Sequence, residues 1–174
     1  MLIQHYMKEI GLLPIDICMR FKDYIESDAR MGEEKDDILK TLSKLPPSHR
    51  NTVKDFSWKF QGGNTLNGDD QHVGYMDNQE KEIAVAAPWN YGREFTSLHE
   101  IAHTVWERLS PQTKQQWFDV VKNTKQSPDD QNNDSLNQNP EELFCMSYAC
   151  YYAKHKIVTY YKPEWMEFIK NLPQ

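Results

Sequence analysis

The chain has little of what would mark it as a nucleic-acid binder, a membrane protein or a disulfide scaffold. Its 26 acidic residues outnumber its 20 basic ones, leaving a net charge of −6 and no basic footprint for a phosphate backbone. No apolar run approaches the ~20 residues that a membrane-spanning helix needs. Met1 to Arg20 carries no basic lead, no long apolar stretch and no small-residue cleavage site, so no secretory signal is expected. The three cysteines, Cys18, Cys145 and Cys150, are an odd number, and each stands among apolar neighbours. They read as reduced, small core residues of a cytoplasmic protein. What the chain does have is apolar substance. With 39% hydrophobic and 12% aromatic residues over 174 positions, it can build one domain with a real core, which excludes global disorder.

Periodicity divides the chain into a helical cover (1–45) and a core (46–174) within that single domain. Leu2, Ile3, Tyr6, Met7 and Ile10 form one helical stripe. Cys18, Phe21, Tyr24 and Ile25 form a second, and Ile38, Leu39, Leu42 and Leu45 a third, closed by Pro46-Pro47. Alternation then shortens to period two at Phe56–Phe60, His72–Met76 and Glu82–Ala86. The last two, separated by the polar Asp77–Glu80, predict a hairpin. Helices are expected again from about Arg93, from Ser110-Pro111 to about Lys122, from Asn139-Pro140 to about Lys156, and from Pro163. Between them, 123–138 is rich in Asn, Asp, Gln and Ser and reads as a mobile surface loop. The fold class that follows is α+β, with a small, mostly antiparallel sheet between two helical parts.

One motif carries chemistry. In His99-Glu100-Ile101-Ala102-His103 the histidines are four apart, so on a helix they stand one above the other and can reach one metal ion. Glu100 lies about a quarter turn round from His99, beside the ion's place, where a carboxylate can take a proton from the attacking water and pass it to the leaving amine. Leu98, Ala102, Val105 and Leu109 make a buried stripe along the same helix, and Phe95 and Trp106 extend the histidine face in apolar fashion. A catalytic zinc requires a third protein ligand. The class with a third histidine six residues past His103 is excluded, because Leu109 stands there. The remaining common solution is a Glu from a later helix, and Asn139-Pro140-Glu141-Glu142 offers two. Glu142 has an ordinary reading as well: with Asn139 as N-cap, a Glu at the third helical position closes a capping box.

The segments 96–105 (Thr-Ser-Leu-His-Glu-Ile-Ala-His-Thr-Val) and 142–149 (Glu-Leu-Phe-Cys-Met-Ser-Tyr-Ala) resemble the metallopeptidase domain of the anthrax lethal factor-like family, which includes the clostridial Pro-Pro endopeptidases. Leu109–Trp117, Gly62-Gly63 and the hairpin around Tyr75–Ala86 are similar to the parts that lie between and before those segments. The likeness covers roughly 45–172. It implies a zincin-like fold of the gluzincin type, with Zn2+ held by His99, His103 and Glu142 and with Glu100 as general base. Two positions depart from the family pattern. Met146 stands where a second carboxylate is usual, and Ser135 where a tyrosine stabilises the oxyanion; Tyr91, Tyr148 and Tyr152 are the candidates to replace it. The HEIAH motif is also similar to that of the ImmA/IrrE-like peptidases, whose second motif Glu142-Leu143-Phe144-Cys145 matches less well.

The expected partner is a protein or peptide substrate. In zincins an edge strand before the active-site helix pairs with extended substrate. Glu82–Ala87 is expected to be that strand, with Ala84 and Ala86 leaving room for substrate side chains and with Trp89 and Tyr91 as pocket walls.

Overall fold

Ile38, Leu39, Leu42 and Leu45 recur at helical spacing, and in the computed structural model they are the buried face of helix α1 (Gly32–Ser43) and the turn after it. The structure describes residues 32–60, 73–86, 92–124, 139–157 and 160–173. The two stripes upstream, the segment 125–138, and Ser135, Trp89 and Tyr91 lie outside these residues. Pro47 opens the short helix α2 (Pro47–Arg50), which continues into a single 3-10 turn, Asn51–Val53.

Three strands follow: β1 (Ser57–Phe60), β2 (Gly74–Asp77) and β3 (Glu82–Val85), in the order β1-β3-β2. β2 and β3 form the expected hairpin, antiparallel, with Gly74 opposite Val85 and Asp77 opposite Glu82. Asp77 shapes its turn by accepting from the backbone N–H groups of Gln79 (2.8 Å) and Glu80 (3.0 Å). Lys81, with a φ of 53°, then brings the chain back into β3.

Two expectations about the sheet are corrected. β1 runs parallel to β3, so the sheet is mixed and not mostly antiparallel. Strand direction leaves no trace in a period-two pattern, which reports only which residues share a face. Furthermore, β3 is the central strand and not an edge, since β1 and β2 flank it. Ile83, Ala84, Val85 and Ala86 are all buried, the near-continuous apolar run of a strand covered on both faces. Among the described residues, β2 is the outer strand on the side of the histidine helix.

That helix, α3 (Gly92–Arg108), starts at Gly92, whose φ of 73° suits glycine. Ser110 caps α4 (Pro111–Asn123) by accepting from the Thr113 N–H at 3.1 Å. Asn139 caps α5 (Pro140–Ala153) by accepting from the Glu141 N–H at 3.1 Å. α5 ends three residues short of the expected Lys156, because Lys154 turns left-handed at φ 56°. The final helix is α6 (Pro163–Lys170).

α3 packs most extensively against α5 and also against β2, β3 and α1. Leu98, Ile101, Ala102 and Val105 of α3 join Ile83 and Val85 of the sheet and Leu143, Phe144 and Tyr148 of α5 in one core. An aromatic cluster closes the lower end, with Phe144 against Trp106 (5.1 Å between centroids) and Trp117 (5.7 Å), and Trp117 against Trp165 (5.6 Å). Cys145 and Cys150 are buried in this core, where burial holds the Cys145 thiol well above its usual range and pushes Cys150 up to about 11. The described architecture is α+β and mostly helical, and no described helix is long and apolar enough to cross a membrane.

Candidate metal centre

The packing of α3 against the start of α5 brings together residues that lie about forty positions apart in the chain. His99 and His103 stand on successive turns of α3, with ring centroids 5.1 Å apart. Their Nε2 atoms face one carboxylate of α5: His99 Nε2 is 3.3 Å from Glu142 Oε2, and His103 Nε2 is 3.5 Å from Glu142 Oε1. One donor atom from each of the three residues lies within 4.8 Å of the others. Donors held tetrahedrally at 2.0–2.2 Å from an ion stand about 3.3–3.6 Å apart. Each imidazole has a Glu142 oxygen at such a spacing, Oε2 for His99 and Oε1 for His103, and two imidazoles with a carboxylate are a donor set suited to a borderline divalent cation. His99, His103 and Glu142 can therefore hold a metal ion.

The ordinary reading of Glu142 as a capping-box residue gives way here. Asn139 does cap the helix, yet the Glu142 side chain is directed at the imidazoles. The hydrogen bond from His99, followed by the charges of His99 and His103, lowers its carboxyl below the usual range.

Glu141 takes a different position. Its Oε1 accepts from His103 Nδ1–H at 2.8 Å, on the far side of the ring from Glu142. The sequence offered Glu141 as an alternative ligand; its carboxylate instead meets the nitrogen that points away from the cluster. Nδ1 of His99 is buried and has no hydrogen-bond partner among the described residues.

Glu100 is 4% exposed and lines the same cleft. Burial, with the nearby Glu142 charge adding to it, pushes its carboxyl up to about 8. A cation at the three-residue cluster would oppose both effects, since its charge is the largest in such a site. The cleft has a volume of about 530 Å³ and is walled by Val73–Met76 of the outer strand and by Phe95 and Met146. Met146, where the family resemblance leads to a carboxylate, contributes a thioether to that wall.

Gly74 is a functional position that the sequence reading passed over. A Cβ there would overlap Glu100 Oε1 and stand 2.7 Å from Thr96 Cγ2. The outer strand thus lies directly on the Glu100 carboxylate, which only a residue without a side chain permits. A glycine inside an alternating strand was the available signal.

Other expected site residues are placed elsewhere. Ala84 and Ala86 form a small cluster of their own, apart from the core that holds Ile83 and Val85. They alternate with Ile83 and Val85, and neither is among the residues that line the cleft. Tyr148 is fully buried with its hydroxyl 3.0 Å from His49 Nδ1, and burial raises its pKa well above the usual range. Tyr152 packs against Tyr148 with ring centroids 4.7 Å apart and the planes tilted, and it lines a separate hollow with Lys44 and Leu45. Neither reaches the metal cluster.

No protein-family model matches the chain, and neither a curated protein nor a solved structure matches it.

Proposed function

We propose that this protein is a zinc-dependent endopeptidase of the zincin type, with His99, His103 and Glu142 as the ligands of Zn2+ and Glu100 as the general base. The observation that carries the reading is the convergence of both Nε2 atoms on the Glu142 carboxylate, with a buried carboxyl, Glu100, beside them. When bound, zinc supplies Lewis acidity, lowering the pKa of a water and polarising the scissile carbonyl. Glu100 accepts the proton from the attacking water and delivers it to the leaving nitrogen. Its burial beneath Gly74 excludes competing solvent and fixes the carboxylate near the reacting atoms.

The substrate pairs with β2 in this reading, which replaces β3 as the recognition strand. The N–H of Ala86 donates to Val73 O at 2.8 Å, so Val73 and Ala86 are a hydrogen-bonded pair of the antiparallel ladder. By the alternation of such ladders, Tyr75 and Asp77 also bond to β3, while the N–H and C=O groups of Gly74 and Met76 point outward. An extended peptide can add to these groups. Val73, Met76, Phe95 and Met146 give the cleft apolar walls for a substrate side chain.

Glu100→Gln tests the catalytic claim. It should retain stoichiometric zinc and lose cleavage of a protein or peptide substrate by ~10²–10⁴-fold or more. Undiminished cleavage by the zinc-loaded variant would remove Glu100 from the mechanism.

A second reading is a zinc-binding regulatory protein of the same fold that recognises a partner without cutting it. It is favoured by the position of the hydroxyls. Of the described tyrosines only Tyr75 lines the cleft, and its hydroxyl is bound to Glu82. Stoichiometric zinc with no turnover over a diverse peptide library would select this reading over the first.

A further inference from the structure

Two consecutive carboxylates on the first turn of α5 approach the same imidazole from opposite sides. Glu142 Oε1 lies 3.5 Å from His103 Nε2, and Glu141 Oε1 lies 2.8 Å from His103 Nδ1. We propose that Glu141 is a positioning residue that fixes the ring orientation and tautomer of His103 for metal binding. The proposal rests on the reading of His99, His103 and Glu142 as a metal site.

The argument is one of donor chemistry. A neutral imidazole binds a metal through a nitrogen lone pair and carries its proton on the other nitrogen. A carboxylate only accepts, so the 2.8 Å contact places the proton on Nδ1 and leaves the Nε2 lone pair directed at the cluster. The contact also locks the ring against rotation about its bond to Cβ. His99 has no such partner among the described residues, its Nδ1 being buried without a hydrogen bond. One ligand of the pair is therefore pre-aimed through its outer nitrogen, and the other has no such contact at Nδ1 among the described residues. The local fold explains why adjacent residues divide the work. Asn139 takes the backbone N–H of Glu141 and fixes the first turn, and side chains about 100° apart on that turn straddle the His103 ring. The cap uses the backbone of Glu141, so its side chain is free for His103.

The experiment measures Zn2+ and Co2+ affinity by chelator competition, and the visible spectrum of the Co2+ form, for the full chain and for Glu141→Ala, Glu141→Gln and Glu142→Ala. Glu141→Ala should weaken both ions by ~10–100-fold. Glu141→Gln, whose amide oxygen can still accept from Nδ1–H, should recover most of that loss. The melting temperature of the metal-free protein should change little in either variant, whereas a merely structural role would move it. The Co2+ spectrum of Glu141→Ala should keep its ligand count, and Glu142→Ala should lose more affinity and change the spectrum. Wild-type affinity in Glu141→Ala would overturn this inference alone. A change of ligand count in Glu141→Ala would also overturn it, by making Glu141 itself a ligand. A wild-type chain that binds neither ion would overturn the metal reading and this inference with it.

Discussion

The two faces of α3 are built on opposite principles. On one, Leu98, Ile101, Ala102 and Val105 are at most 2% exposed and meet only apolar neighbours in the shared core. On the other, buried Glu100 and half-buried His99 and His103 bring ionisable groups into a cleft. The first face is apolar, and burial stabilises it by about 25 cal/mol per Å² of apolar area. The second is unfinished. Glu100 is a buried carboxyl, Nδ1 of His99 has no partner among the described residues, and the Glu142 carboxylate reaches across to both imidazoles. One face therefore stabilises the fold regardless of ligand, and in the proposed reading the other lowers stability until a cation completes it.

Substitutions can break that contrast in either direction. The largest expected effect is on the apolar face. Ile101→Ala should cost ~2–5 kcal/mol of unfolding free energy, equally in metal-free and zinc-loaded protein, while the folded variant binds zinc with unchanged affinity. Denaturant melts with and without metal measure it; a metal-dependent cost would mean that the two faces are not independent.

Next comes Gly74→Ala. The added methyl overlaps the Glu100 carboxylate and must displace it or the strand, so kcat/KM should fall by ~10²-fold. Metal content should stay stoichiometric, because the atoms nearest the new methyl belong to Glu100 and Thr96 and not to His99, His103 or Glu142. Full activity in this variant would show that Glu100 can move freely and that its seat beneath β2 is unimportant.

The smallest effect, per unit of pH, is read in the metal-free protein. Glu100 has its folded pKa raised from 4.5 to about 8 by burial and the Glu142 charge. Between those values the native state keeps a proton that the unfolded state has lost, so stability is full below 4.5 and falls as pH rises toward 8. The slope is at most about 1.4 kcal/mol per pH unit. Glu100→Gln should remove this slope and overtake the wild type in stability as pH rises; parallel stability curves for the two proteins would refute the burial argument. Saturating zinc should flatten the wild-type curve.

Much of this was legible in the sequence, because helices write their contacts into local spacing. The stripe of Leu98, Ala102 and Val105 located α3's buried face, and the four-residue step from His99 to His103 set two donors on one side of it. Pro111, Pro140 and Pro163, each at a first helical position, marked three helix starts. Sheet order was less accessible, since it depends on which strands meet after the chain has turned back. Even so, the run from Ile83 to Ala86 carried the mark of a strand buried on both faces, which should have removed β3 as the edge. The division between Glu141 and Glu142 was not legible at all. Adjacent identical side chains differ only in the direction they take from the first turn of α5, and that direction has meaning only once His103 is packed against it.

The central claim concerns the unfinished face, and X-ray absorption at the zinc edge on the metal-loaded chain, paired with Glu142→Ala, tests it most directly. The account predicts two imidazole nitrogens and one carboxylate oxygen at ~2.0–2.2 Å, with the oxygen signal altered in Glu142→Ala. An ion whose coordination is unaffected by Glu142→Ala, or no tightly bound ion in the wild-type chain, would contradict it.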